Sequence, residues 1–181
     1  VKFDGALPSV PAVALGQAPV RTINPVATRA KSAGPVMLGK FIKTLNYTGP
    51  NASIVHVEMG ARDGQNAYVN QDSPFAALPG PLQGADWAQV DNRDALYSAV
   101  DFIEIAVTGG STIWVAHDNR LPRPAWLKKQ FKPSGEAITI LGQKMDLFRR
   151  EAAQDESLTL GANTEDTSIK EGNLYLVFVN K

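Results

Sequence analysis

A chain of 181 residues is long enough to bury a sizeable core without covalent staples. Its 18 Lys and Arg residues are balanced by 18 Asp and Glu, and no basic run stands out; this disfavours non-specific nucleic-acid binding, which depends on neutralising phosphates, and leaves room only for a local mixed-charge patch. The absence of cysteine excludes disulfides, thiolate metal ligands, c-type haem attachment and a cysteine nucleophile.

No apolar run approaches the length that spans a membrane. The first residue is Val1 rather than an initiator Met. The expectation is a processed, exported protein, periplasmic, cell-surface or extracellular, from which a leader or upstream domain has been removed.

Residues 1–35 differ from the rest. Pro8, Pro11, Pro19, Pro25 and Pro35 interrupt a stretch of small residues and valines. Proline fixes φ and removes a donor, so neither a helix nor a central strand is expected there. An extended arm is, and ordering it costs about 1–2 kcal/mol of backbone entropy per residue. That cost needs a partner surface. Val10, Val13, Leu15, Val20, Ile23 and Val26 are the predicted partner-binding residues.

Beyond the arm, residues 36–181 read as short strands between turns: 36–45, 53–59, 67–70, 87–90, 100–107, 112–117, 137–141, 147–150, 157–160 and 174–180. Ile103, Ile105 and Val107 alternate with Glu104 and Ala106, the period of a half-buried strand. Residues 112–117 and 174–180 are apolar on both faces, as a central strand is. Gly109-Gly110 and Gly142 mark turns between these runs. One or two helical turns are predicted over 124–131. Residues 143–153 contain good helix formers, but Met145, Leu147 and Phe148 fit a strand equally well. The predicted fold class is all-β: an antiparallel β-sandwich or jelly-roll-like domain over 36–181 with an extended N-terminal arm.

Several motifs arrive in order. Residues 113–120 (IWVAHDNR) precede 124–127 (PAWL), and 147–150 (LFRR), 160–163 (LGAN) and 175–179 (YLVFV) follow. Upstream lie 68–73 (YVNQDS) and 82–87 (LQGADW). Over roughly 65–181 this framework resembles the non-catalytic β-sandwich modules attached to bacterial polysaccharide lyases and related secreted or surface proteins. The resemblance implies secretion, a β-sandwich and a place beside other domains. The chain departs from the pattern in its proline-rich start and in carrying no catalytic domain.

Individual residues offer a structural and a chemical reading. Trp114 and Trp126 read as core, with the Trp126 indole N–H bonded to a backbone carbonyl. Trp87, beside Asp86 and a glycine turn, is the predicted exposed, carbohydrate-binding tryptophan. Asp118-Asn119-Arg120 reads as an Asx turn with an Asp–Arg pair, in an exposed setting. Asp72, Asp86, Asp91, Asp94 and Asp118 lack the spacing of a calcium loop and read as turn carboxylates. His56 and His117 read as satisfied histidines. Ser111 follows a glycine pair without GxSxG or GxxxxGK[ST], so a hairpin turn is expected. No cofactor, metal or catalytic residue is predicted.

The leading expectation is a non-catalytic structural subunit of a bacterial envelope or extracellular assembly, docked through its arm, with protein subunits as partners. The alternative is a carbohydrate-binding accessory module of a secreted polysaccharide-degrading system, with a polysaccharide as partner. An enzyme ranks third and would require His56, Arg93 and Tyr97 to converge in one cleft.

Overall fold

The computed structural model describes residues 39–181. In chain order these form β1 (Ile42–Tyr47), β2 (His56–Glu58), β3 (Asp86–Gln89), β4 (Ile103–Val107), β5 (Ser111–Asp118), α1 (Ala125–Gln130), β6 (Lys132–Ile140), β7 (Gln143–Ala152), β8 (Glu156–Leu160) and β9 (Leu176–Asn180). Every strand pairing is antiparallel. Three strands make one sheet in the order β1-β4-β8, and six make the other in the order β2-β3-β9-β5-β7-β6. The architecture is therefore the all-β, two-sheet fold that the strand pattern predicts. The arm over 1–35, with Val10, Val13, Leu15, Val20, Ile23 and Val26, lies outside the described residues.

The burial of each strand follows from its place. In β4, Ile103, Ile105 and Val107 are buried and Glu104 is exposed, because one face of the three-stranded sheet meets the core and the other meets water. β9 sits between β3 and β5 and is buried on both faces from Leu176 to Val179. β5, between β9 and β7, is buried from Ile113 to Asp118. Phe75, from the long β2–β3 connection, lies 5.7 Å from both Trp87 and Phe178. That connection therefore covers the face of the six-stranded sheet that bears these two rings.

Some predicted strands differ in extent. Residues 67–70 form no strand; Tyr68 makes a single bridge to Val90. Side chains compete for the backbone there: Tyr68 N donates to Ser73 Oγ and Ser73 N to Asn66 Oδ1. β1 starts at Ile42 because the backbone N–H groups of Phe41 and Ile42 are taken by the buried Asp86 carboxylate. The region with helix formers is the ten-residue strand β7, where Met145, Leu147 and Phe148 are buried. β6 and β7 are joined through Leu141-Gly142, with φ 53 and 73, enclosed by the Ile140–Gln143 pair. Positive φ at both central residues suits the right-handed twist of a two-residue hairpin. Pro133 is tolerated because β6 is an edge strand with a register shift between Pro133 and Ala137.

Candidate functional site

Residues of the 113–120, 124–127, 160–163 and 175–179 motifs meet in one polar clasp. β5 ends by placing His117 and Asp118 under the chain that leads into β9. The His117 Nε2–H donates to Asn163 O at 2.9 Å. Asn163 Nδ2 donates to Ala95 O and Asn173 O at 3.2 and 2.9 Å, and its Oδ1 accepts from Tyr175 N at 3.2 Å. Asn173 N donates to Asp118 Oδ2 at 2.9 Å. Asn92 Oδ1 accepts from Leu174 N, and its amide donates to Asn173 Oδ1. An irregular segment at 161–175 thus has its polar backbone satisfied by side chains, as burial requires.

Asp118 does more than order an exposed turn. Its side chain is fully buried, while that of Arg120 is 39% exposed. The carboxylate accepts from Arg120 N and Nε at 3.0 Å and from Nη2 at 2.6 Å. The expected Asx turn and Asp–Arg pair are present, but the setting is interior. Burial raises the carboxyl pKa; the Arg120 hydrogen bond and the Asn173 and Arg120 backbone N–H groups outweigh it and hold the group below the usual carboxylate range.

Trp126 completes the clasp from α1. Its Nε1–H donates to Ala162 O at 2.9 Å, and its ring lies 5.1 Å from Tyr175 and 6.1 Å from Phe131. Gly161 is required by this approach, since a Cβ there would lie 2.9 Å from Trp126 Cδ1. Tyr175 OH in turn donates to Gly161 O. Trp126 is only half-buried. It borders a hollow of about 300 Å³ with Ser98, Ala99, Val100, Thr164 and Glu165.

Trp87 is placed otherwise than expected. It is 1% exposed, and Phe75 meets its ring edge-on at an interplanar angle of 73°. The register runs Trp87–Phe178–Trp114 across three strands, so all three rings share one covered face. The neighbouring Asp86 and Gly84 mark a turn, but the β2–β3 connection folds back over that turn's strand. In this structure Trp87 offers no face to a sugar ring. Trp114 is core as expected, 5% exposed, with its N–H on Asn180 Oδ1.

The remaining candidates stay apart. Asp86 holds the start of β1, and Asp91 pairs with Arg93. Asp94 accepts from Tyr47 OH, Asn51 N and Asn51 Nδ2. No group of three or more acidic or His residues with metal-holding geometry occurs among the described residues. His56 bonds to Ile54 O and Glu58, Arg93 to Asp91 and Asn51, and Tyr97 packs on Phe102. Each of the three is engaged by a different partner. Ser111 Oγ bonds Thr108 Oγ1 beside the Gly110 turn, as a hairpin residue does.

Burial holds the His117 pKa below its usual value, with the Asn163 carbonyl and Asp118 opposing. The folded state therefore keeps His117 neutral where the unfolded chain, with a His pKa of about 6.5, takes up a proton. More protons on the unfolded state means that stability rises with pH and is lost as pH falls. Stability is expected to decline as pH drops below about 6.5, and His117→Gln should flatten that slope between about pH 6.5 and 5. Urea unfolding at stepped pH checks this; parallel slopes would show that His117 is not the linked group.

A two-sheet domain with a structural clasp and no converging catalytic side chains among the described residues is of the kind found within larger multidomain proteins. No protein-family model matches the chain. Over 142 residues, 78% of its length, it is 25% identical to a β-glucuronidase of the bacterium Formosa agariphila. Its backbone matches part of a solved β-glucuronidase of glycoside hydrolase family 2 with a TM-score of 0.72 and 25% identity, over 76% of the chain. The chain spans 14% of the length of each. It is thus homologous to a β-sandwich region of a glycoside hydrolase; the expected association with carbohydrate-active enzymes stands, with a glycoside hydrolase in place of the polysaccharide lyases of the sequence resemblance. Among the described residues no helix is long and apolar enough to cross a membrane.

Proposed function

We propose that this chain is a non-catalytic β-sandwich module that serves an exported bacterial carbohydrate-degrading enzyme. The observation that carries the reading is the 0.72 TM-score match, at 25% identity, to a small part of a β-glucuronidase. The clasp supports it: His117, Asp118 and Trp126, which invite a chemical reading, are instead engaged in holding the 161–175 segment. The match favours this accessory role over the envelope-assembly role, whose support was the arm. The role itself is to hold polysaccharide near the catalytic part of such an enzyme.

Two measurements on the 181-residue chain test the reading. Incubation with an aryl β-glucuronide is expected to give no turnover. Native electrophoresis through gels containing neutral or acidic polysaccharides is expected to show retardation in at least one. Turnover that co-purifies with the chain, or free migration in every gel, would remove the proposal.

A further inference from the structure

β6 and β7 pair so that Lys132 stands directly opposite Arg149. Directly opposed residues of an antiparallel ladder share a face, with Cβ atoms about 4.5–5.5 Å apart, and like charges there destabilise the sheet. Both residues are exposed. Several surface cations have acidic partners: Lys43 has Asp155, Arg93 has Asp91, Arg120 has Asp118, Arg123 and Lys144 share Asp146, and Arg150 has Glu156; isolated cations such as Lys40, Arg62 and Lys170 have none among the described residues, but they are not set opposite another cation in a strand register. Among the described residues Lys132 and Arg149 have no such partner. The adjacent Glu151 accepts from Thr112 Oγ1 at 2.9 Å instead.

The two cations open onto a hollow of about 280 Å³, lined by Gln130, Lys132, Arg149, Arg150 and Glu151. Lys128 and Lys129 lie in the last turn of α1 just before it. A lysine on an edge strand is a common guard against strand-to-strand association. That accounts for Lys132 on β6 but not for Arg149 on the interior strand β7. On its other side the register partner of Arg149 is the buried Trp114. Gln130 Nε2 donates to Thr159 O, which leaves its carbonyl oxygen to accept a hydroxyl.

We infer that this hollow binds an anionic polysaccharide, with Lys132 and Arg149 closing on one carboxylate or sulfate ester and Gln130 accepting from a neighbouring sugar hydroxyl. A bound anion turns the repulsion of the pair into a two-point clamp, with the charge-assisted bonds that are the strong ones. The inference rests on the accessory-module reading and gives it a ligand class and a site.

The test uses the 181-residue chain in gels containing polygalacturonate, which carries carboxylates alone, dextran sulfate, which carries sulfates alone, or plain dextran, with double-stranded DNA as a further competitor. Retardation is expected with polygalacturonate or dextran sulfate, whichever anion the clamp accepts, and should weaken as salt rises. Plain dextran should not retard. The K132Q/R149Q variant should lose affinity about tenfold or more without a fall in Tm, because a like-charge pair has been relieved. The single edge-strand variant Lys132→Gln should lose affinity in the same direction and guards against a folding defect in the double variant. Unchanged retardation in both variants, or retardation by plain dextran alone, would overturn the site while leaving the accessory role standing. Free migration in every gel would remove both, and DNA binding tighter than either acidic polysaccharide would overturn the ligand class.

Discussion

Asp118→Ala is expected to destabilise the domain by about 2–4 kcal/mol. Removing one partner of a buried pair typically costs about 3–5 kcal/mol, and the half-exposed Arg120 side chain, which keeps its hydration when unpaired, lowers that figure. What remains is mainly the loss of the acceptor for the Asn173 backbone N–H, which leaves a buried donor unsatisfied. Asp118→Asn should cost less, since an amide oxygen still accepts from Asn173. Acid unfolding separates the two effects. The Asp118 carboxyl titrates lower in the folded state than its unfolded value of about 3.9. Its contribution is therefore present above about pH 3.9 and disappears as pH falls through the folded value. The alanine variant should lose this part of the acid sensitivity. Chemical unfolding at neutral pH and at stepped acid pH measures both; a neutral-pH cost under about 1 kcal/mol, the range of exposed ion pairs, would return Asp118 to the role of a surface turn residue.

Trp87→Ala is expected to cost about 3–5 kcal/mol, the range for truncating a buried tryptophan. In a domain of this size that corresponds to a Tm lower by roughly 10 °C. The ring is 1% exposed between Phe75 and the interior of the six-stranded sheet, so its loss opens a cavity that the two flanking sheet rows cannot close. Polysaccharide retardation of the variant, measured well below its melting temperature, should equal that of the parent. A variant that melts like the parent and migrates freely would instead make Trp87 a surface binding residue.

The class of fold was legible from periodicity. β4 shows the alternation its sequence predicts, and β9 is buried on both faces as an uninterrupted apolar run implies, because side-chain period and run length are local properties of the chain. Ala125–Gln130 is helical within the predicted 124–131 stretch, since Pro124 suits the residue before a first turn. The Trp126 bond to a backbone carbonyl was legible too: a half-buried indole carries a donor that must be satisfied.

Exposure at turns was not legible. Asp118 and Trp87 both flank residues that mark turns, and both are interior. A turn residue states how the backbone bends locally; whether another segment lies over it depends on contacts distant in sequence. Trp87 is covered by Phe75 from a connection with almost no strand pattern, and Asp118 is covered by Asn173, 55 residues away. Polarity in the clasp had the same ambiguity. His117 read as a satisfied histidine, and it is one, but its partner, the Asn163 carbonyl, and the roles of Asn163 and Asn173 emerge only when the fold places the backbone groups that they satisfy.

The charged hollow shows the division most clearly. Composition shows balanced charge and no basic run, which disfavours non-specific nucleic-acid binding but is silent on where a local charged patch forms. Lys132 and Arg149 are 17 residues apart along the chain, and only Arg149 falls in one of the ordered motifs, 147–150. Only the register of β6 on β7, set by the Leu141-Gly142 turn and the shift after Pro133, puts them on one face. A one-residue slip would send one of them to the opposite side of the sheet. Local pattern decided which segments are strands, and long-range pairing decided which side chains meet.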